Sequence, residues 1–386
     1  MPRLFYGNFD FEHELADPVG WLRSSAIRRL LAERASAWIG LANDGDLIWT
    51  PEEIPKSFWE ELAEVGLPRV RGVTDLSALP TDNIELVPWG WSRRTIELGR
   101  RTSPPSEAVV RMGNSRTWSF TLEQDLGVVL PGAARIERLE DFSLTVAKSA
   151  QLCGDRSKEH RWVIKANFGM AARERILGLG SLLSDSHQRW IQRRLVSDGA
   201  VFFEPWLPIR EEVGLQFSIP PQTAGRPRLE GVTPLLTDAQ GGYRGSSFSL
   251  DETVPEKWQS AVEVAMQAAE RLQQLGYLGP LGIDAAQHDL PTGDAVIRPL
   301  QDINARFTMG RLALGFRQLL CTSEFGVWQH FMANGTAAST SSASSPIRTI
   351  TTSPPVVGKK PAQHHSEVLI FANRLDLYSR QAHSRG

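Results

Sequence analysis

The sequence predicts a mixed fold, in which an α/β N-terminal domain precedes regions whose strands pair in an antiparallel manner. Two observations support this prediction. Residues 1–105 alternate short apolar strands with helical segments, which is typical of an α/β layer with parallel strands. Further along, residues 281–284 and 297–304 have strand patterns, and the turn between them contains the Pro, Gly and Asp that an antiparallel hairpin needs.

Within the N-terminal domain, the apolar patterns predict strands at residues 4–9, 38–41 and 84–87, and helices at residues 21–36 and 57–65. The second helix should end at Gly66, because glycine suits the exit conformation of a helix. Asp10 and Glu12 follow the first strand, where open α/β sheets place ligands. A turn and a helix cap are the other interpretation of these two residues.

The predicted hairpin carries a candidate site for a divalent cation. Side chains two residues apart on a strand share a face, so Asp302 and Asn304 should point the same way, with Arg306 continuing the row. Asp284 on the partner strand would supply the opposite wall. Hard cations such as Mg²⁺ prefer oxygen ligands, and one or two carboxylates with an amide oxygen and nucleotide phosphates suffice. A solvated hairpin whose carboxylates face water is the alternative.

Two upstream segments add to this pattern. Lys165 ends a short apolar strand just before a loop that contains glycine, and a lysine at such a place can reach nucleotide phosphates as a mobile point charge. Residues 200–205 are predicted to form a buried strand that ends at Pro205. Another strand is predicted at residues 209–219.

Taken in order, these segments resemble the ATP-grasp family. The shared features are a strand lysine, a strand ending in Glu-Pro-Trp-Leu at 204–207, a strand with a second acid, and Asp…Asp-x-Asn-x-Arg at 284 and 302–306. The resemblance covers residues 106–330 and depends on order and spacing. It implies two α+β lobes whose antiparallel sheets clasp the nucleotide, with ATP and Mg²⁺ as cofactors.

The resemblance also implies a division into domains. The N-terminal α/β domain would occupy residues 1–105, the central ATP-grasp lobe 106–205 and the C-terminal lobe 206–333. Residues 334–386 would be a low-complexity linker and a C-terminal tail. The run 334–355 is dominated by Ser, Thr and Ala and predicts a linker, while the apolar residues 368–372 could add a strand to a sheet.

Individual roles follow from the resemblance. Lys165 and Arg306 would be catalytic, Lys165 by contacting ATP phosphates and Arg306 by stabilising phosphate charge or a carboxylate substrate. Asp10 and Glu12 would be candidates for binding an amine. The implied nucleotide-binding residues are Lys165, Glu204, Trp206, Leu207, Glu212, Arg116 and Arg173. The implied magnesium ligands are Asp284, Asp302 and Asn304.

Several of these assignments have alternatives. Glu211 competes with Glu212 for the ribose, because alternation along a strand lets only one of two neighbours face the site. Arg116, on a helix predicted at 106–127, would reach phosphate or be a plain surface arginine. The loop after Lys165 has one glycine and two arginines, so Arg173 or Arg175 would cover the phosphates. The favoured alternative is a helix at 170–177, which is rich in helix formers.

Asp302 departs from the family, which more often has glutamate at this position. A shorter carboxylate can still ligate magnesium.

The implied activity is that of an ATP-dependent ligase. ATP would phosphorylate a small-molecule carboxylate, and an amine or thiol would attack the acyl phosphate. A small-molecule kinase and a catalytically weakened nucleotide-binding scaffold are the alternatives. The sequence contains no Walker loop, no His-Glu-x-x-His pair and no Gly-x-Ser-x-Gly elbow that would indicate another chemistry.

Composition limits the partners. The 386 residues have a formal net charge of −2, so no global basic field would recruit nucleic acid or an anionic membrane. No apolar run reaches the roughly 18 residues of a membrane span, and the start lacks a signal peptide, so we expect a cytoplasmic protein. Cys153 and Cys321 are expected to be buried, reduced thiols, and His187 and His288 to lie at the surface. The sequence does not indicate an oligomeric state.

Two further helices are predicted in the C-terminal half. One begins near Thr253, where Thr253 and Glu256 form a capping-box pattern, and ends at Gly276. The other covers residues 316–331.

Overall fold

The computed structural model describes residues 1–17, 19–80, 82–99, 103–157, 159–169, 174–238, 241–333 and 345–373. These residues form a four-stranded parallel sheet, a four-stranded antiparallel sheet, an eight-stranded antiparallel sheet and a two-stranded hairpin. The predicted fold class, an α/β N-terminal domain followed by α+β lobes with antiparallel sheets, is confirmed. Within the described residues, no helix has both the length and the apolarity required to cross a bilayer.

The N-terminal domain contains the parallel sheet, whose strand order is β3-β2-β1-β4. Its strands are β1 (Arg3–Tyr6), β2 (Leu47–Trp49), β3 (Arg71–Val73) and β4 (Glu85–Pro88). Its helices are α1 (Phe11–Ala16), α2 (Ser25–Arg34), α3 (Lys56–Glu64) and α4 (Arg93–Glu97). The predicted strand at 38–41 is wrong, since Ala35–Leu41 is a 3₁₀ helix. Residues 35–40 are buried throughout, and an apolar run buried on all sides does not distinguish strand from helix.

The central lobe contains the four-stranded antiparallel sheet, in the order β5-β8-β6-β7. Its strands are β5 (Ala134–Ile136), β6 (Arg161–Lys165), β7 (Arg175–Leu179) and β8 (Val201–Pro205). Its helices are α5 (Glu107–Gly113), α6 (Arg116–Leu126), α7 (Phe142–Cys153) and α8 (Asp185–Asp198). The helix predicted at 106–127 is divided, because the hydroxyl of Ser115 accepts a hydrogen bond from Trp118 N (3.2 Å) and starts a new helix.

The loop after Lys165 leads into a strand. Strand β7 pairs with β6 so that Arg175 lies opposite Lys165. The helix predicted at 170–177 is therefore wrong for residues 175–177, where pairing with β6 overrides helix propensity. Residues 170–173 lie outside the described residues.

The C-terminal lobe contains most of the eight-stranded sheet, in the order β13-β12-β9-β10-β11-β14-β18-β15. Its strands are β9 (Ile209–Ile219), β10 (Arg228–Thr237), β11 (Tyr243–Ser249), β12 (Gly279–Asp289), β13 (Ala295–Asn304) and β14 (Phe325–Met332). Its helices are α9 (Gln259–Gln274) and α10 (Met309–Gly315). Helix α9 starts after a 3₁₀ turn at Glu256–Trp258, without the predicted capping box. The helix predicted at 316–331 is wrong beyond a 3₁₀ turn at Phe316–Leu319, because β14 follows it.

The last described segment extends the same sheet. It contains β15 (Arg348–Thr351), β16 (Val356–Val357), β17 (Lys360–Pro361) and β18 (His364–Phe371). Strand β18 pairs with both β14 and β15. The structure thus differs from the predicted linker at 348–351, and the apolar residues 368–372 do contribute to a strand. Residues 334–344 and 374–386 lie outside the described residues.

Two large hydrophobic clusters stabilise this arrangement. One runs continuously from the N-terminal sheet into the C-terminal lobe, while a second lies within the central lobe around Trp162 and Phe203. Cys153 is buried as expected, but Cys321 is exposed.

Candidate active site

A cleft of about 250 Å³ opens where the N-terminal domain, the central lobe and the C-terminal lobe meet. The predicted site residues that line this cleft are Glu12, Arg116, Lys165, Arg175, Glu212, Asp284, Asp302, Asn304 and Arg306. They come from α1, α6, β6, β7, β9, β12, β13 and the segment after β13, so the fold brings together side chains that are far apart in the sequence.

The hairpin of β12 and β13 forms one wall of the cleft. Asp284 lies directly opposite Asp302 in the register, and Gly282 lies opposite Asn304. A Cβ atom at position 282 would come within 2.2 Å of Thr308 Cγ2, so this strand can approach Thr308 only with a glycine there. Asp302 remains 41% exposed, with Arg116 Nη2 3.7 Å from its Oδ1.

The electrostatics of this wall fit a divalent cation. Burial raises the pKa of Asp284 well above its usual range, and the neighbouring carboxylates of Asp302 and Glu212 raise it further. A cation bound among these groups would relieve that repulsion. Asn304 contributes an amide oxygen, which already accepts a hydrogen bond from Arg306 Nη2 (2.8 Å). Two carboxylates and an amide oxygen match the donor set of magnesium sites completed by phosphate and water.

The described residues contain no cluster of three or more His, Cys, Asp and Glu side chains placed to hold a metal ion. The set on the hairpin therefore depends on the amide of Asn304 and on oxygens from an incoming ligand.

The two neighbouring glutamates on β9 face different ways. Glu212 lines the cleft, whereas Glu211 forms an exposed ion pair with Lys257 on the other side. The geometry favours Glu212 over Glu211 as the ligand-facing residue.

Lys165 is held by a buried ion-pair network that the sequence did not reveal. Its Nζ donates to Glu204 Oε2 (2.7 Å), and Arg298 Nη1 lies 3.0 Å from the same oxygen. Arg298 also donates to both carboxylate oxygens of Glu123, at 2.7 and 3.0 Å. We name these four residues the Glu204 network.

Opposing effects set the charges in the Glu204 network. Burial opposes ionisation of Glu204, but Arg298 and Lys165 together hold its pKa well below the usual range. Burial lowers the pKa of Lys165, and the carboxylate of Glu204 counters this effect. Burial raises the pKa of Glu123 in spite of its pairing with Arg298. The network therefore fixes Lys165 at the edge of the cleft with a charged partner behind it.

Trp206 and Leu207 are two further residues predicted to bind the nucleotide. The guanidinium of Arg175 lies over the Trp206 ring, 5.5 Å from its centroid, and Trp206 N donates to Arg161 O (2.8 Å). Leu207 is buried against Leu130 and Cys153. Trp206, Leu207 and Glu204 are not among the described residues that line the cleft, and Glu204 contacts the cleft residue Lys165. Arg173 lies outside the described residues.

Arg306 connects the hairpin to the N-terminal domain. Its Nε donates to Glu12 Oε1 (2.6 Å), its Nη1 donates to the carbonyl of Phe307 (2.7 Å), and its guanidinium lies 5.1 Å from the Trp89 ring centroid. The other carboxylate oxygen, Glu12 Oε2, is buried and has no hydrogen-bond partner among the described residues. Glu12 also lines the cleft. By contrast, both carboxylate oxygens of Asp10 are bonded to Arg23.

Several residues of the site had no predicted role. Arg34 and Gln301 line the cleft without such a role, and Tyr243, in the glycine-rich turn 241–245 that could be a flexible loop or a substrate contact, lines it as well. Arg298 is separated by 175 residues from Glu123, so no local pattern relates the two. His288, predicted at the surface, is only 4% exposed, and burial followed by the charge of Arg298 lowers its pKa to about 4.

Comparison with known proteins places this geometry in context. No family model matches the chain. The chain is 26% identical over 297 residues to the [butirosin acyl-carrier protein]–L-glutamate ligase of Niallia circulans, an alignment that covers 72% of this chain. The chain spans about two thirds of that relative's length, 65%.

Solved structures share the fold at lower identity. Biotin carboxylase from Campylobacter jejuni, in a β-γ-ATP complex, is 11% identical with a TM-score of 0.52, covering 89% of this chain and 86% of that one. The N5-carboxyaminoimidazole synthetase of Staphylococcus aureus, complexed with ADP, is 9% identical with a TM-score of 0.52, covering 91% and 95%. At such identities the likeness concerns the fold.

Proposed function

Because this chain has the ATP-grasp fold, we propose that it is an ATP-dependent ligase that joins a carboxylate to an amine or thiol through an acyl phosphate. One observation carries the proposal: Lys165, Arg306 and the acids of the β12–β13 hairpin converge on one cleft. The proposed cofactors are ATP and Mg²⁺.

The proposed reaction has two steps, a phosphoryl transfer and an acyl transfer. A substrate carboxylate oxygen attacks the γ-phosphorus of ATP, and ADP leaves. The amine or thiol then attacks the acyl carbon, inorganic phosphate leaves, and the nucleophile gives up a proton. Neither step requires a covalent enzyme intermediate, so catalysis depends on positioning and on stabilising charge.

The cleft residues suit these demands. Lys165, Arg116 and Arg306 all line the cleft and would supply positive charge for phosphate oxygens. Asp284, Asp302 and Asn304 would hold Mg²⁺, which neutralises phosphate charge when bound. Glu212 would accept hydrogen bonds from the ribose.

Glu12 is the proposed acceptor for the amine. Its Oε2 is buried and unpaired among the described residues, and an unpaired buried carboxylate oxygen is stabilised by a donor such as an ammonium group.

The curated relative supports this substrate class. Its name states that it ligates L-glutamate to an acyl-carrier protein. We therefore include amino acids among the candidate substrates, and a carrier thiol or amine among the candidate second substrates.

The test is Mg²⁺-dependent ADP release, screened across amino acids and small carboxylic acids with hydroxylamine as the nucleophile. A ligase of this type forms a hydroxamate from the acyl phosphate. A stable phosphorylated product without dependence on an amine would instead indicate a kinase. ATP binding without Mg²⁺-dependent ADP release would indicate a nucleotide-binding scaffold.

A variant pair tests the magnesium ligands. Asp302→Asn removes a carboxylate from the cleft, and we expect turnover to fall at least about 100-fold. Folding should be retained because Asp302 is 41% exposed. Asp294→Asn, in the exposed turn of the same hairpin, is the control and should keep wild-type turnover. Wild-type Mg²⁺-dependent turnover in Asp302→Asn would refute the assignment.

A further inference from the structure

A second cavity, of about 160 Å³, lies beside the cleft. Its walls come from the end of α2 and the residues after it, together with β11, β14 and β18, and we name it the side chamber. Arg34, Tyr243 and Met309 line both the side chamber and the cleft. The two spaces are therefore separated by shared side chains, and one molecule could extend from the cleft into the chamber.

The lining of the side chamber is rich in basic and donor groups. It contains two arginines and three histidines, Arg34, Arg244, His330, His364 and His365, against a single acid, Glu33. The acid is already engaged. Glu33 Oε1 accepts from Arg29 Nε (2.8 Å) and Gln363 N (2.9 Å), and Oε2 pairs with His364 Nδ1 (2.7 Å). Arg244 is ion-paired with Asp238 (Nη2–Oδ2 3.0 Å), but its side chain is 53% exposed and can share that partner with a bound anion. Two arginines against one acid in the lining favour an anionic ligand.

His330 lines the side chamber and has one unsatisfied polar atom. Its Nε2 is buried without a hydrogen-bond partner among the described residues. The ring is fixed against Trp328 (centroids 4.3 Å apart) and Tyr243 (5.5 Å). Burial lowers the pKa of His330 to about 3, so the imidazole is neutral near pH 7 and can donate one hydrogen bond. Buried polar atoms are usually paired, and a hydrogen bond from a ligand in the chamber would satisfy this one after a small ring movement.

The size of the chamber restricts the ligand. Cavities of about 150 Å³ accommodate a molecule of benzene's size. The chamber therefore has room for one end of an amino-acid-sized molecule whose other end lies in the cleft.

We propose that the side chamber binds the distal carboxylate of a small dicarboxylate substrate, whose other carboxylate stays in the cleft for phosphorylation. His330 and Arg244 contact the distal group, and the shared residue Arg34 lies between the two carboxylates. This inference rests on the proposed ligase function, because that function supplies the reason for a carboxylate in the cleft.

Calorimetric binding to the full chain, with a nonhydrolysable ATP analogue and Mg²⁺, tests the proposal. The probes are two matched five-carbon pairs: L-glutamate against L-norvaline, and glutarate against pentanoate. At least one dicarboxylate should bind about tenfold or more tightly than its monocarboxylate partner, as expected for one hydrogen bond to a charged group. Equal affinity within both pairs, or no binding of either dicarboxylate, would overturn the proposal.

Variants locate the contact. His330→Leu should weaken dicarboxylate binding about tenfold without changing the affinity for the ATP analogue, and His330→Gln, which keeps a donor, should restore part of the loss. Arg244→Met, at a half-exposed position, gives a second measurement with little risk to folding. Unchanged dicarboxylate affinity in both His330→Leu and Arg244→Met would refute the site.

The binding and activity measurements together distinguish an error in the side-chamber proposal from an error in the ligase proposal. If hydroxamate forms from a carboxylate whose affinity is unchanged in the His330 and Arg244 variants, the ligase proposal is supported and the side-chamber proposal is refuted. If the dicarboxylate binds as expected but no carboxylate supports ADP release, the chamber stands as a ligand site and the ligase proposal falls.

Discussion

Removing Arg298 should destabilise the protein more than any comparable change at its surface. The side chain of Arg298 is 5% exposed and those of its partners Glu123 and Glu204 are 1% and 9% exposed. Arg298→Met keeps an unbranched chain as far as the position of Nε but removes the charged end of the guanidinium. Glu204 then keeps Lys165 as its partner, whereas Glu123 loses both hydrogen bonds that Arg298 donates to it.

The expected loss of stability comes from Glu123, which is the carboxylate that loses its partner. Breaking a buried ion pair by deleting one partner typically costs about 3–5 kcal/mol, because a buried charge is left uncompensated. Glu123 can limit the loss by taking up a proton, since burial already raises its pKa. Arg298→Met raises the pKa of Glu123 in the folded state further above its value in the unfolded chain. The unfolded state is therefore favoured most at high pH, where Glu123 ionises freely in the unfolded chain. We therefore expect a free energy of unfolding about 3–5 kcal/mol lower near pH 8, and a smaller decrease near pH 5.

Urea unfolding monitored by tryptophan fluorescence measures both values. Arg271→Met is the matched control, because Arg271 forms an ion pair with Asp125 in which the two side chains are 40% and 56% exposed. Exposed pairs of this kind contribute about 0–1 kcal/mol. Equal destabilisation by Arg298→Met and Arg271→Met, or a loss that does not depend on pH, would refute the reasoning.

Two other predictions concern His288 and Gly282. The pKa of His288 is about 4 in the fold against 6.5 in the unfolded chain, so the unfolded state takes up the proton first as pH falls. Stability should drop by about 2 kcal/mol between pH 7 and pH 5 from this residue, and His288→Gln should remove that part of the decrease in urea unfolding. If the free energy of unfolding of His288→Gln fell with pH as steeply as that of the wild type, the lowered pKa of His288 would be contradicted. Gly282→Ala places a Cβ 2.2 Å from Thr308 Cγ2, so we expect about 1–3 kcal/mol of destabilisation and impaired turnover. Wild-type melting temperature and activity in this variant would show that the strand has room for a side chain.

The predicted β12–β13 hairpin was accessible from the sequence because its signal is local. Alternating side chains and a turn with Pro, Gly and Asp define the register within some 20 residues, and the structure pairs Asp284 with Asp302. The α/β character of the N-terminal domain was accessible for the same reason, since its strands alternate with helices along the chain. Strands β1 and β4 overlap predicted strands, whereas β2 and β3 were not predicted.

Features that depend on distant partners were not accessible. The Glu204 network joins residues on α6, β6, β8 and β13, and a buried arginine has no signature in its own neighbourhood. Strand β15 forms because β18 offers it a free edge, although its own sequence, Arg-Thr-Ile-Thr, resembles the polar segment before it. Residues 37–41 contain no polar side chain, so periodicity did not separate a 3₁₀ helix from a strand.

The double pairing of Glu204 bears on how readily Lys165 can change partners. If a lysine has a single buried counterion, that counterion loses its only partner when the lysine moves away. The cost is comparable to that of breaking a buried ion pair. Here Glu204 keeps Arg298 when the ammonium group moves toward an anion in the cleft. Each carboxylate of the network thus keeps a hydrogen-bonded partner, Arg298, when the lysine moves to another anion, which lowers the cost of the exchange.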